Sequence, residues 1–396
     1  MKFLISLIFA SAVLLARPEI KSLQVYSGSQ TQLPIGRKIT IEFDVKNDFT
    51  PELKLVFYFC DSGWNPYERY ELENPGYNRD EGLDYTRLPH TIENADYHFA
   101  RTYPTKRVNF PFSGKWIVLI TDMFENEVYA QGWFIVPVDS IGLQVKIEKD
   151  QTDYLSSMNN LNKTLRISAD TYLDEDMDPF RISHIEIIEN HKLDYPVVIE
   201  RGQNDRTRYF EWDANRKMKF VARDIMPGNE YRRLDIRDKG RFAYPDTKAQ
   251  YDGIETSRFF KRGRKDFNGG EMIASPSDEY SDYLNVRFDF RPQDRPDGDI
   301  YLVGAFNDWY VSPYYKMKDE NGLYSTVVSI KRGQYDYQYV TGDEKNGYVE
   351  NIDWLIYEGN FFETTNTYTV LLYYNSPEKG GYDQIIAHKI IQFGGL

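Results

Sequence analysis

The chain has 396 residues, enough for two or three domains with real cores. Aromatics make up 16% of it, led by 32 Tyr and 24 Phe, and long Ala/Leu/Glu/Lys runs at helical spacing are missing, which excludes a helical bundle and favours an all-β protein. The net charge of −13 argues against nucleic acid as a general partner.

Residues 1–16 read as a signal peptide: Lys2 is the charged start, and residues 3–15 form a 13-residue apolar stretch, short for a bilayer span. Ala16 before Arg17-Pro18 is a plausible cleavage point, with Ala10-Ser11-Ala12 as the alternative. The competing reading is an ordinary buried strand. No cysteine lies near the cleavage point, which argues against a lipoprotein, and no later stretch of 18 apolar residues offers a helical anchor. Residues 17–139 read as a first β-sandwich. Residues 38–45 (KITIEFDV) alternate, placing Ile39, Ile41, Phe43 and Val45 on one face. Residues 53–60 follow and end at Cys60, the only cysteine, so no internal disulfide forms; a buried strand residue is the expectation for it. Residues 67–91 make a polar loop long enough to suggest structure or function, and residues 115–122 and 127–136 read as a closing hairpin.

Residues 140–282 read as a middle sandwich, with strands at 143–149, 164–169, 183–188, 195–200, 208–212 and 217–222. Its loop 170–179 holds five acids. Asp174, Asp176 and Asp178 are spaced like a Ca²⁺ loop but lack the glycine and the closing glutamate, so a solvated loop is expected. Residues 238–282 carry little strand periodicity and read as a surface excursion. Charge is uneven here: residues 201–265 hold 18 Lys+Arg against 10 Asp+Glu, an excess of +8 that leaves −21 on the rest. Arg232, Arg233, Arg237 and Arg206 are therefore candidates for a partner-binding face, against the plainer reading of a solvated surface paired with nearby acids. Strand alternation puts Arg232 and Arg233 on opposite sides, so one of the two is expected to face inward.

Residues 283–396 read as a third sandwich ending in strands at 367–375 and 382–392. Within it, residues 300–303 are an apolar strand, Gly304 and Asn307-Asp308 supply a turn, and Asn321-Gly322 is a hairpin signal. Tyr335, Tyr337 and Tyr339 share one strand face. The G-x-F-N-x-W core at 304–309 and the tyrosine strand resemble the early-set β-sandwich that carries glycogen- and starch-binding modules. That resemblance implies sugar stacking on Trp309, the first tryptophan position, with Trp354 at the second. Gln338 stands where the module's lysine would be, and the loop 342–352 differs from the family's, which weakens a carbohydrate site. The alternative is that Trp309 packs over the turn.

Over its length, from about Ile20 to Ile391, the chain resembles the plug proteins of the bacterial type IX secretion system. The stretches that carry this are Gln203-Asn204-Asp205-Arg206, residues 228–236 (GNEYRRLDI), Phe306-Asn307-Asp308-Trp309, and residues 358–368 (EGNFFETTNTY) followed by 371–374. Tyr231 stands where many relatives have Phe. The resemblance implies tandem immunoglobulin-like/early-set sandwiches and an exported, periplasmic, non-enzymatic gate. Such a gate closes the giant outer-membrane β-barrel translocon, inserts into no membrane itself and takes no small-molecule substrate. The residues agree in offering little chemistry. The histidines 90, 98, 184, 191 and 388 have no ligand spacing, and no G-x-S-x-G elbow occurs, so neither metal nor cofactor is expected. The runner-up function is an extracytoplasmic carbohydrate-binding protein.

Overall fold

The computed structural model describes residues 17–73, 77–151, 163–259, 265–273 and 279–394; the expected signal peptide lies outside them. The fold is all-β: among the described residues six antiparallel-based sheets pack as three sandwiches. In the first, one sheet runs Glu19–Tyr26, Ile39–Lys46, Tyr97–Tyr103, Thr86–Arg87. The facing sheet runs Arg79–Asp80, Leu53–Cys60, Gly114–Asp122, Val128–Val136. The alternating Ile39, Ile41, Phe43 and Val45 are all buried against Phe57, Phe59, Trp116 and Phe134. The described parts of the loop 67–91 pack on this body: Leu72 is buried, and the buried Asp80 accepts hydrogen bonds from Tyr103 Oη (2.7 Å) and Arg101 Nη1 (2.6 Å).

The middle sandwich corrects the expected division of the chain. One sheet runs Arg208–Trp212, Lys217–Ile225, Lys163–Tyr172, Leu143–Gln151. The other runs Val197–Glu200, Ile182–Glu189, Asn366–Ser376, Tyr382–Phe393. The last two strands of the chain, expected in the third unit, thus complete the second, with Ile182 opposite Tyr374 and Glu189 opposite Tyr368. Tyr368, Val370, Leu372, Ile386 and Ala387 fill its core beside Ile185, Ile187 and Phe220. Strand periodicity identifies a buried face but not the neighbour it pairs with, so chain order misleads here.

The third sandwich is consequently an insertion, and it begins well before residue 283. Arg232–Asp235 and Glu271–Ile273 both pair with the long strand Gly333–Lys345, as do Asp299–Gly304 and Tyr348–Asp353. Asp246–Lys248 and Glu255–Thr256 pair in parallel with Tyr283–Arg291, which also carries Leu323–Lys331. Residues 238–256 are largely exposed, as expected of a surface excursion, but two- and three-residue strands at Asp246–Lys248, Glu255–Thr256 and Glu271–Ile273 edge both sheets, too short to leave a period in the sequence. The hairpin signal is real, with positive φ at both Asn321 (57°) and Gly322 (81°), the backbone a two-residue hairpin turn needs. Tyr335, Tyr337 and Tyr339 all point into the core.

Buried charges knit the three sandwiches together. Asp44 of the first is fully buried and accepts from Tyr283 Oη (2.8 Å) and pairs with Lys331 Nζ (2.7 Å) of the third, while His98 Nδ1 lies 2.8 Å away. Between the first and second, Glu186 pairs with Lys115 Nζ at 3.0 Å and accepts from Tyr373 Oη at 3.0 Å, all three groups buried. Tyr382 of the middle sandwich inserts into the first core.

Candidate functional site

The stretch 228–236 is where the chain leaves the middle sandwich, and 358–368 is where it returns. The two meet. Gly228 N donates to Asn360 Oδ1 (2.9 Å), Asn229 Nδ2 to Glu358 O (2.9 Å), and Thr365 N to Glu230 Oε1 (2.7 Å). Tyr231 is buried, and its hydroxyl takes a hydrogen bond from Asn190 Nδ2 at 3.1 Å. Arg232, only 3% exposed, donates Nε to Glu358 (2.8 Å) and Nη1 to Glu255 (3.2 Å). Arg258, also buried, takes the other oxygen of Glu358 at 2.7 Å. Glu255 in turn accepts from Tyr337 Oη at 2.8 Å and from Tyr339 Oη. Burial alone would lower the Arg232 pKa, but Glu358 and Glu255 raise it instead, so the guanidinium stays charged inside the protein.

This geometry removes Arg232 from the expected partner face. Arg232 is the inward member of its pair and belongs to a buried ion cluster. Arg233 is half-buried, stacked 3.9 Å from the Phe267 ring centroid and 3.4 Å from Asp336 Oδ1. Arg237 forks onto its own neighbour Asp235 at 2.8 Å. Arg206 is exposed in the turn after Gln203, where Asp205 Oδ1 accepts from Thr207 N (2.9 Å) and Arg208 N: this stretch is a capped turn. Part of the positive charge of 201–265 is paired with acids from outside the stretch, as in Arg223–Asp150 and Arg233–Asp336. Beside Arg233, burial with Asp336 and Glu230 nearby holds the Asp266 carboxyl well above the usual range. Sequence could suggest that one of Arg232 and Arg233 turns inward; the partners, over a hundred positions away in the case of Glu358, leave no local signal.

The sugar-type pair is also rearranged. Trp309 is 1% exposed, its ring lies 4.3 Å from that of Tyr231, and its Nε1 donates to Gly269 O at 2.6 Å. It packs over its turn and offers no platform. Gln338 donates to Trp354 O at 3.2 Å, and Lys192 Nζ sits 4.5 Å over the Trp354 ring. Trp354 borders a cleft of about 570 Å³ between the middle and inserted sandwiches, whose charges Glu189–Lys192 and Asp224–Arg208 are paired internally. We expect Trp309→Ala to destabilise the fold by about 3–5 kcal/mol, as for a core tryptophan, and titration calorimetry of the native chain with maltoheptaose to show no binding. Micromolar binding abolished in Trp309→Ala with unchanged unfolding would contradict both statements.

Among the described residues no group of three His, Cys, Asp or Glu side chains could hold a metal ion. His184 stacks on Tyr373, and His191 is pushed down to about 4 by burial. Burial pushes the Cys60 thiol up to about 12, far from a thiolate nucleophile. In the 174–178 loop, the carbonyls of Asp174, Glu175 and Met177, which a cation would use, accept from Arg216 instead. No helix among the described residues is long and apolar enough to cross a membrane.

The molecule is thus an all-β chain of three sandwiches, the third inserted into the second. Its sequence matches no protein-family model and no curated protein. Among solved structures it is similar to a hypothetical protein from Parabacteroides merdae ATCC 43184, with TM-score 0.77 and 19% identity over 94% of this chain and 97% of that one. A marsupial T cell receptor aligns with TM-score 0.15 and 11% identity, covering 82% of this chain and 100% of that one, too distant to carry an argument. At 19% identity the first likeness establishes the fold alone.

Proposed function

We propose that the protein is a non-enzymatic component of the type IX secretion system, exported to the periplasm, that occludes the periplasmic mouth of the outer-membrane barrel translocon. The observation that carries this reading is the meeting of the 228–236 and 358–368 stretches. Two segments that carry the family resemblance form a buried network that fixes the inserted sandwich on the middle one. An occluder acts by shape, so residues that hold the shape are the ones its function requires. The Asp44 and Glu186 contacts extend the same rigidity to the first sandwich. Cargo, or an energising component, displaces this body, and reversibility calls for a mixed polar interface of moderate affinity. Affinity purification of the tagged full chain from its native host tests the reading. It expects a very large outer-membrane barrel to co-purify, and recovery without one counts against it.

A further inference from the structure

One end of the middle sandwich gathers two aromatic rings and an arginine, with Trp212 packed on the core at its base. Phe180 is 66% exposed, and its ring meets the half-buried Trp212 edge-on at 5.4 Å. The Arg201 guanidinium lies over both rings, 4.8 Å from the Phe180 centroid and 5.6 Å from that of Trp212. Among the described residues no carboxylate pairs with Arg201; its Nη1 donates to Phe180 O at 3.3 Å and its Nε has no partner. Tryptophan, arginine and an exposed aromatic at one spot are the composition of a binding hot spot, not of an ordinary solvated edge.

The rim around this centre is acidic. The four acids of residues 174–178 are all exposed, as are Glu200 and Glu211. Some cations at this end are committed, as Arg216 donates to loop carbonyls and Arg181 sits 3.5 Å from Asp178; the exposed Lys217 and the half-buried Lys219 opposite Glu211 are the exceptions. Such a rim repels a second copy of itself and an anionic lipid surface, and it steers toward positive charge. We infer that this end, centred on Phe180, Arg201 and Trp212, is the docking face for a basic protein surface with an apolar recess that takes the Phe180 ring. The chemistry of the partner follows from these residues alone; its identity as the Lys/Arg-bearing periplasmic rim of the translocon rests on the occlusion reading.

The test places a photo-crosslinking benzophenone amino acid at position 180 of the full chain in its native host, with position 124 as control. Phe124 is 84% exposed but lies on a turn of the first sandwich away from this end. Adducts are identified by mass spectrometry, and the Glu175→Lys/Asp176→Lys background is compared. Both acids are exposed, and an unchanged thermal unfolding midpoint verifies the fold of that variant. The expected result is an adduct specific to position 180, mapping to a Lys/Arg-rich site, and reduced about tenfold by the double reversal at low salt. No adduct at 180, or one indifferent to the reversal, overturns the docking face. An adduct with a basic protein other than the barrel keeps the face and removes the occlusion reading. Co-purification of the barrel without any adduct at 180 keeps occlusion and removes the face.

Discussion

Asp44→Ala should destabilise the protein by about 3–5 kcal/mol, the cost of leaving a buried charge without its partner. The charge left behind is Lys331, 4% exposed, which has Asp44 2.7 Å away. Tyr283 Oη loses an acceptor at the same moment, although Ser22 Oγ at 2.9 Å remains for it. The double variant Asp44→Ala/Lys331→Met should be more stable than the single one, because it removes the orphaned ammonium along with its carboxylate. The pH dependence follows from the same contacts. Burial raises the Asp44 pKa, but the hydrogen bonds from His98, Lys331 and Tyr283 outweigh it and the net shift is downward. A carboxyl whose folded pKa is depressed stabilises the fold above its unfolded value, about 3.9, and that contribution is lost as pH falls through the folded pKa. Denaturant titrations at pH 7 and pH 3 should therefore show the gap between native and Asp44→Ala narrowing in acid. A gap that widens in acid, or a single variant as stable as the native chain, would contradict the interlock between the first and third sandwiches.

Arg232→Ala should cost a similar 3–5 kcal/mol, roughly, while Arg237→Glu should cost less than about 1 kcal/mol. The two arginines lie five positions apart in one basic stretch, and only burial separates them. Arg232 is 3% exposed and pairs with one carboxylate oxygen of Glu358, while Arg258 pairs with the other. Removing it also strips Glu255 of its guanidinium at 3.2 Å. Arg237 has a side chain 33% exposed and pairs only with Asp235. Chemical denaturation of the two variants checks the contrast directly. Equal effects would mean that the 228–236 and 358–368 stretches do not form the buried joint described here.

The strands that sequence made legible are those with long alternation or strong turn residues. Residues 38–45 and 300–340 are of this kind: Ile39 to Val45 and Tyr335 to Tyr339 fill the cores their spacing indicated. What alternation cannot carry is the identity of a neighbour. Asn366–Ser376 is buried along almost its whole length, so it fits the centre of any sheet, and only the register with Ile182–Glu189 assigns it to the middle sandwich. Short edges such as Asp246–Lys248 and Glu255–Thr256 hold too few residues to repeat a pattern. The same limit applies to the arginines. A local excess of positive charge cannot distinguish a surface from a set of buried pairs when the acids come from distant segments, as Glu358 and Asp336 do. Trp309 misleads for the opposite reason. Its motif fixes the turn, and the inserted sandwich then buries the ring against Tyr231 and the Gly269 carbonyl, neither of which the motif contains.

If the body closes the translocon as proposed, its effect on conductance is direct. The purified translocon barrel is placed in a planar bilayer and the full chain is added to the periplasmic side. The large open conductance is expected to fall to the closed level on addition and to return when the protein is washed out. A conductance that stays open while the protein is bound would contradict it.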